Sequence, residues 1–347
     1  MGNMKGIFTE NMVALLRKRA ADRESRRLQE SMIRDAVESA VEGTDERIRM
    51  VPSYRKQLAP AVENCLLYVN DLVDQIPESI RVSRKTFAED SRVSSFFVNV
   101  HELRAAFSHS SELRDFLEAH QNNGLNECCA LVCMLKRERS VFGMELAGDR
   151  VRKDVQQTTV SFTDHQINSP AESEQQTREG LKNCMFQGVI TSALERMTTL
   201  RQRQKELENR EHLLRARLHS LQQDIGAGSD ESDKRKDIAG LEKQLEEIAE
   251  ERRNTRLDGP ADYLEVLRHV LSHPQAFVRL KHQSILLNRL GVMIDEEKSG
   301  YRTHPLDLTE VEIGEAERRV VFLARFPRDE LLPREDFLQN ASRYLSI

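Results

Sequence analysis

The chain has 347 residues, enough for two or three compact units, with 31% charged residues, 39% hydrophobic residues, 5% aromatics and no Trp. A composition so poor in large core side chains disfavours one tight globule and favours long helices solvated over most of their surface. The net charge of −5 gives the whole protein no electrostatic reason to bind nucleic acid or an anionic membrane, and no run of about 18 apolar residues is present to span a bilayer.

The cysteines are Cys65, Cys128, Cys129, Cys133 and Cys184. Their odd number, mostly within apolar runs, points to packed thiols in a reducing, cytoplasmic setting. The opening Met1–Gly6 lacks a signal-peptide core, and Gly6 breaks the myristoylation pattern.

In chain order, the spacing predicts a first helix from about Thr9 to Val41. Met12, Leu15, Leu16, Leu28, Met32, Val37 and Val41 form a broken stripe around a basic middle. It reads as a solvated helical arm; a membrane-surface role is not expected, because one weak amphipathic helix binds marginally. Gly43 and Pro52 end it. A core helix follows over Tyr54–Gln75, with Pro60 pointing to a start near Ala59. Val93–Val100 fits either a strand or the beginning of a helix, and His101–His120 is helical, with Ser110 and Ser111 placed to cap a new turn. Asn122–Gly124 is a break. Ala130–Leu135, Val141–Met144 and Val155–Phe162 read as three short strands of an antiparallel meander, with turns at Lys136–Arg139 and Gly148–Asp149.

Pro170 and the following glutamates look like the first turn of a long helix. Leu181, Met185, Val189, Leu194 and Met197 start it on an apolar face. Beyond them Leu200, Leu207, Leu214 and Leu221 stand seven residues apart, flanked by Glu, Arg, Lys and Gln. The pattern breaks at Gly226–Asp230 and resumes as Ile238, Leu241, Leu245 and Ile248. Two heptad runs of similar length about a glycine turn predict an antiparallel coiled-coil hairpin. A parallel dimer through the same leucines competes with it. After Asp258-Gly-Pro260, helices are expected at Tyr263–Leu271 and Phe277–Leu290, with Gly291 closing the second. Strands follow at Val292–Ile294, Leu306–Ile313 and Arg319–Ala324, and a short helix at Asp336–Tyr344. Helix–helix–strand–turn–strand is the order of a winged helix and of many small α+β units.

The expected fold is therefore α+β and predominantly α-helical. It comprises an N-terminal helical arm (1–45), an α+β module with the meander (46–170), the coiled-coil hairpin (171–258) and a C-terminal α+β, winged-helix-like unit (259–347).

Chemistry is harder to find. His120 with Cys128, Cys129 and Cys133 is the one Cys/His grouping, but adjacent cysteines on a strand point to opposite faces and do not converge on a metal. Cys133 or Cys184 with a histidine, or Ser284 beside His282, lacks any local signature of nucleophilic catalysis. No phosphate loop, dinucleotide fingerprint or His-Glu-x-x-His occurs. No catalytic residue, cofactor or metal is expected. The leading expectation is a non-enzymatic scaffold or adaptor. It would bind protein partners of a multi-component assembly, or a second copy of itself, through the first helix and the seam formed by Leu200, Leu207, Leu214, Leu221, Ile238, Leu241, Leu245 and Ile248. The alternative is a nucleic-acid-binding regulator whose reading helix carries Arg279, Lys281, Gln283 and Arg289. The acidic residues Asp295–Glu297, Asp307, Glu310 and Glu312 after that helix speak against it.

Overall fold

The computed structural model describes residues 27–120, 124–147, 150–223, 231–288, 290–294, 304–314 and 318–333, with only the backbone described at 145–147, 150–152 and 231–234. The architecture is mixed α/β, with a long helix and a curled antiparallel sheet. In chain order it contains α1 (residues 27–42), α2 (Tyr54–Asp74), β1 (Ile80–Arg81), α3 (Arg84–Glu89), α4 (Ser91–Phe96), α5 (Val100–His109) and α6 (Ser111–Ala119). Then come β2 (Glu127–Ala147), β3 (Arg150–Ala171), α7 (Glu174–Gln223), α8 (Glu231–Asn254), α9 (Pro260–Ser272), β4 (Val278–Leu287), β5 (His304–Ile313) and β6 (Arg319–Pro327). The start of the N-terminal arm, the glycine turn at Gly226–Asp230, the turn at Gly148–Asp149 and the helix expected at Asp336–Tyr344 lie outside the described residues. The chain divides into two compact units, Met1–Cys65 with Val189–Pro274, and Leu66–Gly188 with Gln275–Ile347.

The first unit is helical. Only the second half of α1 is packed: Val37, Ala40 and Val41 are buried, whereas Leu28 and Met32 are 62% and 65% exposed. Helix α2 starts at Tyr54 rather than near Ala59, so Pro60 lies inside it. The earlier start comes from Ser53, whose left-handed backbone (φ 57°) aims its carbonyl at the amides of Lys56 and Gln57 (2.9 and 3.2 Å). Pro60 then leaves the Lys56 carbonyl without its helical donor. Helix α9 has Pro260 in its first turn, and Asp262 reaches back to accept from the amides of Asp258 and Gly259 (2.9 and 3.0 Å).

The second unit is built on the sheet, in the order β3-β2-β6-β5-β4, with β1 parallel to β6 and every other named pair antiparallel. The sheet curls until its two ends meet. The amide of Met293 donates to Thr158 O and that of Val160 to Gly291 O, both at 2.8 Å, joining the segment after β4 to β3. Gly291 permits this closure: its φ is +72°, and a Cβ there would sit 3.0 Å from Val160 O.

Inside the curl, Val132, Met134, Phe162, Ile285, Leu308, Ala324 and Phe326 pack against helices α3 to α6. The stretch feeding that core breaks into four short helices because each has its own N-cap. Ser83 accepts from Thr86 N, Asp90 from Arg92 N, Asn99 from Glu102 N and Ser110 from Leu113 N. Val93 and Phe96, which suited a strand equally well, are therefore buried on helix α4. On the opposite face of the sheet Thr177 donates to Cys129 O (3.1 Å), and Arg178 caps α2 through the carbonyls of Val73 and Ile76 (2.7 and 2.9 Å).

Two expectations are overturned here. The meander of three short strands is a single hairpin of two long ones, and β2 runs straight through Lys136–Arg139. Of those charged residues Arg137, Glu138 and Arg139 pair with Ser161, Val160 and Thr159 on a ribbon open to solvent, where charges cost little and make no turn. The second C-terminal helix is strand β4, laddered to β5 from Val278↔Ile313 to Leu287↔His304. Val278, Ile285 and Leu287 are its buried residues; Val278 and Ile285, seven apart, also fit one helical face, whereas Leu287 does not. The winged-helix order disappears with it.

Candidate functional site

The heptad residues fall on α7 and α8 and are unevenly buried. Leu207, Leu241 and Ile248 are buried; Leu200, Leu214, Leu221, Ile238 and Leu245 are half-buried, and most residues between them are exposed. Ion pairs flank this stripe within the one chain. Arg203 meets Glu251 (2.6 Å), Arg252 meets Glu211 and Glu208 (2.5 and 3.6 Å), and Gln204 donates to Asp258 (2.7 Å). The hydrogen bond to Glu251 is the main cause that raises the Arg203 pKa.

At the base of these helices lies a cluster that no sequence pattern announced. Tyr263 of α9 has two guanidinium groups over its ring, Arg47 and Arg201, each with its carbon 4.6 Å from the ring centre. Asp45 joins both arginines and accepts from the Arg47 amide (3.0 Å). The Arg47 hydrogen bond, foremost among several, lowers the Asp45 pKa to about 2.

The groups with possible reactivity are scattered or committed. Cys133 is buried and hydrogen-bonded by Asn168 Nδ2 (3.5 Å), and burial pushes its pKa up to about 11, so the thiolate needed for attack is scarce near neutrality. Burial likewise raises Cys65 and Cys128 to about 12. Cys128 contacts Phe326 O while the Cys129 carbonyl accepts from Thr177, and His120 lies on Phe116 with Nδ1 2.7 Å from its carbonyl. Among the described residues no group of three His, Cys, Asp or Glu side chains converges as a metal site. His282 and Ser284 stand on β4, with His282 turned to Thr309 Oγ1 (3.2 Å). One serine–histidine contact was not foreseen. Ser95 Oγ is 3.0 Å from His304 Nε2, beside a cavity of about 920 Å³. The Ser95 hydroxyl already donates to Ser91 O along its helix (2.7 Å), so it offers His304 a lone pair rather than a proton. That polarity is opposite to the one that activates a nucleophile.

The proposed nucleic-acid residues do not share a helix face. Arg279, Lys281 and Gln283 alternate along β4, and Arg289 lies outside the described residues. Arg279 is directly opposite Glu312 and Lys281 opposite Glu310, so each cation faces a carboxylate on β5. Gln283 accepts from Lys136 (3.1 Å). Among the described residues no helix is long and apolar enough to cross a membrane. Comparison with protein-family models, curated proteins and solved structures gives no match for this chain.

Proposed function

We propose that the protein is a non-enzymatic scaffold or adaptor, in which α7 and α8 act as an antiparallel coiled-coil hairpin that carries contact surfaces for protein partners. The observation that carries this reading is the closure of the leucine stripe inside one chain. With Leu207, Leu241 and Ile248 buried and ion pairs along their flanks, the pair is a rod about 36 Å long over α8. A rod of this kind supplies reach and solvated surface rather than a reaction site. The seam residues hold the rod together, and the contacts fall to what it leaves exposed. Helix α1 supports this division: Leu28 and Met32, one helical turn apart, are both open to solvent. A reducing, cytoplasmic setting suits the free cysteines, four of which are buried.

The test replaces Leu207 and Leu214 together by proline. Loss of partners in cross-linking of intact cells, with sheet-unit folding retained by circular dichroism and proteolysis, is the expected result. Undiminished cross-linking by the double variant would overturn the scaffold reading. A nucleic-acid role would instead show as tight, steeply salt-dependent binding in gel-shift titrations.

A further inference from the structure

The sheet unit contains a second cavity, of about 300 Å³, between the outer face of the sheet and the first turns of α7. Its walls are apolar: Leu131, Leu181, Met185, Val311 and Val321 line it, each no more than 8% exposed. The rim is polar and irregular. The β2–β3 ladder shifts register between Cys129 and Leu131, and Ser169 in the resulting bulge is left-handed (φ 50°). A non-glycine residue held there marks a place where the surroundings impose the backbone. The Ser169 amide donates to Glu112 (3.0 Å), which occupies one carboxylate oxygen, and its hydroxyl lies 3.8 Å from the Cys184 thiol. Arg319 also lines the cavity. Its terminal nitrogens face Asp164 (Nη2 to Oδ2, 2.7 Å; Nη1 to the carbonyl, 3.4 Å), and among the described residues its Nε has no partner.

A half-open apolar cleft of this size with a few polar groups at its rim has the form of a small-molecule site. We propose that it binds a linear monocarboxylate of medium length, the chain lying against Leu131, Leu181 and Val321 and the carboxylate on Arg319. A space of about 300 Å³ lies at the lower end of the range for small-ligand sites, which suits a chain of medium length such as octanoate. Arg319 supplies the charge complement, because a guanidinium with one edge on Asp164 still offers its Nε–H to a second carboxylate. This site is independent of the scaffold reading, since all its residues belong to the sheet unit.

The experiment titrates the full chain with octanoate, octanol and octylamine by calorimetry. Iodoacetamide alkylation of Cys184, the single exposed thiol of the five, is followed in parallel. Octanoate is expected to bind one to one, at least tenfold more tightly than either analogue, and to slow the alkylation. Arg319→Met should abolish the preference for octanoate over octanol while leaving octanol binding intact, and Leu181→Phe, which fills the space, should remove binding of all three. Absence of octanoate binding, equal affinity for octanol, tighter binding of octylamine, or a preference that survives Arg319→Met would overturn the proposal.

Discussion

Asp45 pairs with Arg201, 156 residues further along the chain, whose guanidinium lies over the Tyr263 ring and donates to its hydroxyl (2.9 Å). The carboxylate sits below its ordinary pKa of 3.8, at about 2, with the Arg47 hydrogen bond as the largest cause. Because the folded value is depressed, the carboxylate contributes stability above about pH 4. That contribution is lost as the pH falls through about 2. The difference corresponds to about 2 kcal/mol, reduced toward about 1 kcal/mol because Arg47 and Arg201 are 53% and 42% exposed. Asp45→Asn should therefore cost about 1–2 kcal/mol in urea unfolding at pH 7. Its deficit should shrink steadily between pH 4 and pH 2. A deficit independent of pH would mean that the side chain acts through shape alone.

Lys136 and Glu310 lie 2.7 Å apart although their strands, β2 and β5, are separated in the sheet by β6. They meet because β6 begins at Arg319, and the ladder from β2 to β6 ends at Met134↔Val320. Lys136 then reaches past the strand end. The pair is largely buried, at 18% and 7% side-chain exposure, and the ammonium approaches Glu310 Oε1 without a hydrogen-bonding angle. Removing one partner strands the other. Lys136→Met should destabilise the sheet unit by about 3 kcal/mol, and Lys136→Met with Glu310→Leu should recover most of that loss. Denaturant titration of the two variants decides it: a double variant no more stable than the single one would show that the carboxylate was never the cost.

How much of this the sequence disclosed follows from the range of each interaction. Helices α7 and α8 were legible because their apolar residues recur at helical spacing among charges, a pattern that one helical face explains. The helix caps at Ser83, Asp90 and Asn99 were present as residue types but overshadowed by the β-branched and aromatic run at Val93–Val100. Strand β4 was misread because its apolar residues keep no clean alternation, Leu280 and Leu286 sharing a strand face that Ile285 does not, and its partner β5 lies beyond a long connection. The Asp45–Arg201–Tyr263 cluster and the walls of the smaller cavity join residues more than a hundred positions apart. Such meetings are products of the fold, and local periodicity carries no trace of them.

Two glycines should respond to alanine with opposite sign. Gly240 lies inside α8, and a Cβ built there meets nothing within 4 Å. Its cost is the backbone freedom that glycine loses on forming a helix, so Gly240→Ala should stabilise the rod by about 0.5–1 kcal/mol. Gly43, at the end of α1, allows a close approach instead: its added Cβ would lie 2.6 Å from Ile190 Cγ2 of α7 and 3.2 Å from Ser39 O. Ile190 is itself only 1% exposed and has little room to withdraw, so Gly43→Ala should destabilise by about 1–3 kcal/mol. Thermal melts of the two variants give the comparison directly. A destabilised Gly240→Ala would mean that the outer face of α8 is covered by something, and would direct the search for a partner to that face.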